Sequence, residues 1–259
     1  MKTDKSVTMG AVAGQAWQVS ARTVDMTRPA PPVRALAIDA DPQNIVVDAN
    51  KSALLIVDMQ NDFCAKGGWI DSMGIDVSPN RRPIQPLKRL IKAFRAHAMP
   101  VIWVNWAVRK DLLNISPSLR HAHSPSGREP GLGEKVPRSR SQVLAAGSWG
   151  AQVVDEINPG GKDVQIIKHR FSAFWDTETD AVLRNLGIKT LFVGGVNMDQ
   201  CVMTTLEDAS FLGYDTVLVE DGTATTSPDY CVKAVLFNVK RLFGFIVRSE
   251  AILRAFKSA

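Results

Sequence analysis

The most constraining feature of this chain is the repeated alternation of short apolar runs with amphipathic stretches. The runs are Ala53-Leu-Leu-Ile-Val57, Val101-Ile-Trp-Val104, Val164-Gln-Ile-Ile167, Thr190-Leu-Phe-Val193, Thr216-Val-Leu-Val219 and Gly244-Phe-Ile-Val247. A strand that is apolar at successive positions is buried on both faces, as in a parallel sheet covered by helices. Between the first two runs, Pro83 to Ala98 carries Ile84, Leu87, Leu90, Ile91 and Phe94 at helical spacing. Further helices are expected over Asp176–Leu186, ended by Gly187, over Cys201–Leu212, ended by Gly213, and over Pro228–Leu242. Six strands alternating with helices predict a doubly wound α/β fold: a six-stranded parallel sheet, helices on both faces, right-handed crossovers.

Two stretches stand outside this alternation. Residues 1–48 show little periodicity and are punctuated by Pro29, Pro31, Pro32 and Pro42. They read as an N-terminal extension to a domain over 49–259, partly docked through Trp17 and Ile45-Val46-Val47. Residues 108–148 are polar and turn-rich. A loop of that length inside a compact domain is usually a lid or a subunit contact.

A chain of 259 residues, 45% hydrophobic, suffices for one large domain with a real core. No run of 18 apolar residues is present to span a membrane, and the N-terminus lacks a signal-peptide core. Cys64, Cys201 and Cys231 make an odd count without CxxC spacing, which suits a reduced, cytoplasmic setting. The net charge of +5 is spread among acids. The densest basic stretch, Lys135 with Arg138-Ser139-Arg140, lacks interleaved aromatics and reads as solvated loop, so neither nucleic acid nor membrane is an expected partner.

Three reactive side chains occupy equivalent places in this scheme. Asp58 directly follows the first run, Lys168 directly follows Val164–Ile167, and Cys201 opens a helix after Thr190–Val193. Parallel strands put their carboxyl ends on one edge, where α/β folds bind ligands. The three groups are therefore expected to converge. A thiol activated by an ammonium and a helix N-terminus is a nucleophile, and an adjacent carboxylate can shuttle its proton. The turn Gly194–Gln200 can present backbone N–H groups to an oxyanion. Each residue alone also has a bland reading, as a helix cap, a solvated lysine or a small buried cysteine.

The segments holding these residues resemble the isochorismatase-like cysteine hydrolases. Ala53-Leu-Leu-Ile-Val-Asp-Met-Gln-Asn-Asp-Phe63 resembles that family's first strand and acid. Ile167-Lys-His-Arg-Phe-Ser-Ala-Phe174 is similar to its lysine segment, and Gly194-Gly-Val-Asn-Met-Asp-Gln-Cys-Val202 to its nucleophile turn. The likeness runs from about Lys51 to Leu253. It implies an Asp58–Lys168–Cys201 triad, a cis peptide between Val196 and Asn197, and an oxyanion hole from the N–H groups of Asn197 and Cys201. It also implies a homodimer or homotetramer. Gly67-Gly-Trp-Ile-Asp71 with Gly74-Ile-Asp76 resembles ureidoacrylate amidohydrolases and biuret-type hydrolases. Gly147-Ser-Trp149, Val154-Asp-Glu156 and Leu236-Phe-Asn-Val239 resemble the ureidoacrylate branch more. Asn197-Met-Asp-Gln200 and Phe171 depart from the family's usual smaller residues and tyrosine, which alters the pocket wall.

The activity implied is hydrolysis of a C–N bond in a small amide or urea compound, without cofactor or metal. Metal-binding relatives carry an acid and histidines after the second strand, where this chain has Val104-Asn-Trp-Ala-Val108; His121 and His123 read as a surface pair lacking a third ligand. Phe63, Asn105, Trp149, Phe171, Phe174 and Trp175 are candidates for a flat slot around a planar urea, or for core packing. Arg170 or Arg109 can anchor a substrate carboxylate, whereas Asp199, Asp176 or Glu178 can favour a cationic amidino-urea. Two other readings stand beside this one: a catalytically silent oligomeric ligand-binding protein of the same fold, and a thiol redox protein using Cys231.

Overall fold

The computed structural model describes residues 5–129 and 131–258; residues 1–4 of the extension lie outside the described residues. Its centre is a six-stranded sheet in which every neighbouring pair is parallel. The strands are β1 (Ser52–Val57), β2 (Val101–Trp106), β3 (Val164–Lys168), β4 (Thr190–Val196), β5 (Asp215–Ala224) and β6 (Phe245–Val247), in the order β3-β2-β1-β4-β5-β6. Every residue of β1 and β4 is buried, as two-sided coverage requires. The chain winds outward one way from β1 and the other way from β4. That order puts the topological switch point, the usual ligand crevice of such sheets, between these two strands.

Helix α1 (Ile84–Ala96) buries Ile84, Leu87, Leu90, Ile91 and Phe94, the stripe expected from the sequence. Its Arg89 pairs with Glu250 of a C-terminal helix, Ser249–Ser258, at 3.0 Å. That helix buries Ala251, Ile252, Ala255 and Phe256 and was not anticipated. Thr179–Leu186 ends at Gly187, whose φ of 73° supplies the left-handed cap. The expected Cys201–Leu212 helix starts earlier, with a π-helical turn at Met198–Val202 running into Met203–Phe211. The expected Pro228–Leu242 helix is Asp229–Asn238 followed by a second π turn, Val239–Phe243.

The extension carries more structure than its sequence suggests. Ala35–Ile38 and Ile45–Asp48 form an antiparallel hairpin whose Leu36, Ile38, Ile45 and Val47 join the buried core. At its turn, Asp41 exchanges backbone hydrogen bonds with Ile246 of β6, 2.9 and 2.8 Å long, closing that sheet edge. The polar 108–148 region holds a short helix, Pro117–His123, with Ser116 as its N-cap. No helix among the described residues is long and apolar enough to cross a membrane.

Candidate active site

Asp58 is the first residue beyond β1 and is fully buried. Its backbone is left-handed, with φ of 52°, a conformation Asp tolerates better than most residues. The bend turns the chain sharply, and the Gln60 N–H donates back to Asp58 O at 2.7 Å. Gln60 then fixes the turn by donating to Trp106 O (2.8 Å) and Ala151 O (2.7 Å) and accepting from Trp106 N (2.8 Å).

Lys168 ends β3, two strands away from Asp58. Trp106 is its register partner on β2, and the Lys168 ammonium lies 4.2 Å from the indole centroid. By crossing that ring the side chain brings Nζ to 2.8 Å from Asp58 Oδ2, with a further bond to Arg170 O at 3.0 Å. Both groups are sealed from solvent, which makes this a buried ion pair beside an aromatic face.

Cys201 sits in the π turn after β4, only 4% exposed, and is a hydrogen-bonding neighbour of both Asp58 and Lys168. The turn is defined by a bond from Val202 N to Asn197 O, 3.2 Å long. The Val196–Asn197 peptide is cis, at the position the sequence resemblance gave. Gly195 precedes it at φ 118°, and a Cβ there would stand 2.0 Å from Val57 O. Only glycine lets β4 press its backbone against β1 at this point, and that closeness carries the cysteine turn towards Asp58.

The electrostatics differ from the sequence expectation in one respect. Burial pushes the Cys201 thiol up, beyond what the Lys168 ammonium recovers, and the Asp58 carboxyl adds to the rise. Burial likewise raises Asp58, against the opposing pull of Lys168. Burial and the Asp58 carboxyl thus both favour the thiol over the thiolate at Cys201. Lys168 and the Cys201 thiol both lie within hydrogen-bonding reach of the Asp58 carboxylate, which places it to receive the thiol proton.

The candidate pocket residues divide. Phe63 is buried beside Trp69, their centroids 6.4 Å apart. Phe171 meets Trp106 edge-on at 5.4 Å and stacks on His123 at 5.8 Å. Phe171 and the exposed Trp175 share the rim of an open hollow of about 460 Å³ with Arg170, Asp176, Thr204 and Glu207. Phe174 packs on Tyr214, and Trp149 carries the Arg140 guanidinium 4.2 Å from its ring. Asn105 alternates with Trp106 along β2, so it faces the opposite side of the sheet and lines a separate hollow with Gln165, Ile167 and Ser148. Arg170 is engaged by Asp176 (3.0 Å) and Asn114 O (2.8 Å), and Arg109 by Asp111 (2.6 Å).

His121 and His123 are not a surface pair. His121 is exposed, but His123 is half-buried among Trp69, Trp106 and Phe171. No group of three His, Cys, Asp or Glu suited to a metal occurs among the described residues.

Three residues with no obvious signature hold this arrangement. Asn80, fully buried, donates to Asn197 Oδ1 (2.9 Å) and Phe63 O (3.2 Å). It ties the cysteine turn to the segment after β1. Asp62 accepts from Leu144 N (2.7 Å) and Trp69 N (3.0 Å), anchoring the long loop, and burial raises its carboxyl. Gln60 is the third. Each acts between segments remote in sequence, so local pattern gives no signal beyond polar residues next to an acid.

A carboxylate, an ammonium and a thiol thus meet at the carboxyl edge of a parallel α/β sheet. Residues 52–251 match the isochorismatase domain, and the chain belongs to that family. Its fold is similar to a cysteine hydrolase from Pseudomonas syringae pv. phaseolicola 1448A (TM-score 0.70, 23% identity, 88% of this chain and 98% of that one). It is also similar to an isochorismatase family protein from Desulfovibrio vulgaris subsp. vulgaris str. Hildenborough (TM-score 0.64, 28% identity, 80% and 98% covered). An N-carbamoylsarcosine amidase from Thermoplasma acidophilum matches at TM-score 0.58 and 27% identity over 77% of this chain and 97% of that one.

Proposed function

We propose that the chain is a cysteine-dependent amidohydrolase that cleaves a C–N bond in a small ureido or amide compound of the ureidoacrylate, biuret or guanylurea type. The observation that carries this reading is the meeting of Asp58, Lys168 and Cys201 in one buried cluster. The likeness to an N-carbamoylsarcosine amidase supports the choice of a carbamoyl nitrogen as the leaving side.

In this mechanism Cys201 Sγ attacks the carbonyl carbon as its proton passes to Asp58. The thiol is protonated at rest, so attack and proton transfer are coupled. Lys168 stays an ammonium and holds the carboxylate in place. The backbone N–H groups of Asn197 and Cys201 face the tetrahedral oxyanion. The C–N bond breaks, Asp58 returns the proton to the departing nitrogen, and ammonia or an amine leaves. Water then attacks the acyl- or carbamoyl-enzyme, giving one proton to Asp58, from which Sγ recovers it on release. No metal or cofactor enters these steps.

The same reading takes the protein as a homodimer or homotetramer. Phe211, Tyr230, Phe237 and Leu242 are exposed on neighbouring helical segments, the kind of apolar surface a second copy covers. Sedimentation of the purified chain tests this.

The deciding experiment is ammonia release from a panel of ureidoacrylate, biuret, guanylurea and simple amides. Cys201→Ala is expected to abolish turnover of whichever compound is used while the fold persists by circular dichroism. Substantial residual turnover overturns the nucleophile assignment. Absence of turnover across the panel together with tight binding favours the silent ligand-binding alternative.

A further inference from the structure

The helix Asp229–Asn238 is too apolar for the place it occupies. Seven of its ten residues are apolar, yet Val235 alone is fully buried. A helix that is apolar all round is normally enclosed all round. Here the stripe Tyr230, Lys233, Ala234 and Phe237, at helical spacing, is exposed, Tyr230 to 71% and Phe237 to 64%.

The helix Met203–Phe211 adjoins this surface. Phe211 meets Phe243 edge-on at 5.9 Å, so the end of that helix abuts the π turn that follows Asp229–Asn238. Phe211 is itself 75% exposed, and Glu207 and Asp208 precede it by one turn on the same outward face.

The charges of this surface are segregated and unanswered. The Glu207 and Asp208 carboxylates form no ion pair among the described residues. Burial and the neighbouring Asp208 raise Glu207, and no cation opposes them. Lys233 on the second helix and Arg241 in the π turn are exposed and equally without an acid among the described residues. The other charges here are accounted for. Lys240 is held by Asp41 at 2.9 Å, and Asp229 lies in the first turn of its helix, where the dipole favours an acid.

Acids on one helix and bases on the next, around shared exposed aromatics, make a surface that complements itself. A partner of one charge sign would set half of these groups against like charge. A two-fold axis satisfies them all, because each helix meets the opposite one of the other copy, twice over.

We propose that this surface is an isologous interface between two copies of the chain. The Met203–Phe211 helix of each copy packs against the Asp229–Asn238 helix of the other, with Glu207 and Asp208 opposite Lys233 and Arg241 and the exposed aromatics between them. This rests on the homo-oligomer part of the proposed function and deepens it by naming the two faces that meet. It is independent of the reaction catalysed.

The test is sedimentation velocity at micromolar concentration on wild type and two charge-reversed variants, Glu207→Lys/Asp208→Lys and Lys233→Glu/Arg241→Glu. Each variant faces like charge at both contacts, and the dissociation constant of this interface is expected to rise about tenfold or more. Mixed in equal amounts, the two variants set Lys against Glu at one contact and keep the native pairing at the other. The mixture is therefore expected to return to the wild-type sedimentation coefficient. Phe237→Lys, at an exposed site, is expected to dissociate the interface as well, and circular dichroism verifies the folding of every variant. If Glu207→Lys/Asp208→Lys misfolds, the other two variants decide. Folded variants that associate as tightly as wild type, or a mixture that stays as dissociated as its components, overturn the proposal and leave the homo-oligomer reading standing. A wild type that sediments as a monomer overturns that reading itself, and this proposal with it.

Discussion

Lys168 reaches Asp58 by passing over Trp106: its ammonium lies 4.2 Å from the indole centroid and 2.8 Å from the Asp58 carboxylate. Neither charge touches solvent. Removing one partner of such a pair strands the other, at a cost of about 3–5 kcal/mol. Asp58→Asn and Lys168→Met are each expected to lower stability on that scale in urea denaturation. The double variant should be distinctly more stable than the sum of the two, because neither charge is left buried alone. Additive losses would mean that the two groups do not form the pair described.

The Cys201 thiol is raised by burial, so it remains protonated at neutral pH. Thiolate absorbance near 240 nm, taken as wild type minus Cys201→Ser, is expected to be absent at pH 7–8. Lys168→Met removes the group that pulls the thiol down, so alkylation of Cys201 should need higher pH still. An absorbance step at or below neutrality would show a preformed thiolate and remove the need for coupled proton transfer to Asp58.

The two kinds of structure in this chain were unequally legible. Strands such as Ser52–Val57 and Thr190–Val196 announce themselves because burial on both faces makes them apolar at successive positions after the first. Asp58, Lys168 and Cys201 were legible for a related reason: each ends a strand or opens a helix, and parallel topology sends those ends to one edge. Ser249–Ser258 escaped although it buries Ala251, Ile252, Ala255 and Phe256 on one face, because it follows the last strand with no further strand after it to complete the alternation. Asn80 and Asp62 escaped for a different reason. Their work is done by hydrogen bonds to Asn197 and Leu144, 117 and 82 residues away, and no periodicity records such a bond. His123 was misread as surface because its partners Trp69, Trp106 and Phe171 come from three separate segments.

Asn80 supplies two hydrogen bonds from one amide nitrogen to buried acceptors, Asn197 Oδ1 and Phe63 O. Asn80→Ala leaves both unpaired, at about 1–3 kcal/mol each. Asn80→Asp is expected to be worse, since it turns a donor into a third acceptor. Urea denaturation ranks the variants. Slower alkylation of Cys201 in Asn80→Ala, beyond what its stability explains, would mark the loss of the tie between the cysteine turn and the Phe63 segment.

Gly195 cannot carry a side chain, because a Cβ would stand 2.0 Å from Val57 O and 2.7 Å from Val57 N. The obstacle is backbone of the central strand, which cannot swing aside. Gly195→Ala, with its φ of 118° also unfavourable for alanine, is expected to cost more than about 4 kcal/mol. A variant that folds with near-native stability would mean that β1 and β4 separate easily here, and the cysteine turn would then be loosely held.

The packing of His123 against its aromatic neighbours makes the Pro117–His123 helix sensitive to acid. Burial lowers the imidazole below its ordinary value of about 6.5. An unfolded or undocked helix takes up a proton as the pH falls through that value, while the docked ring resists until lower pH. The docked state is therefore fully favoured above about 6.5 and loses stability as pH drops through the window beneath it. The faces around the ring are Trp69, Trp106 and Phe171. Lys168 lies beyond Trp106, Glu134 is engaged by Arg120 at 2.8 Å, and Glu129 accepts from Ser124, the residue after His123, at 3.1 Å. Hydrogen exchange of residues 117–123, corrected for intrinsic rate, should speed up between pH 7.5 and 5 in wild type. In His123→Phe, which stacks without titrating, it should not. His169 is also lowered by burial and by Arg170, but it lies on the β3 edge and is present in both proteins, so the comparison cancels its contribution. Equal acid sensitivity in the two proteins would place the switch elsewhere.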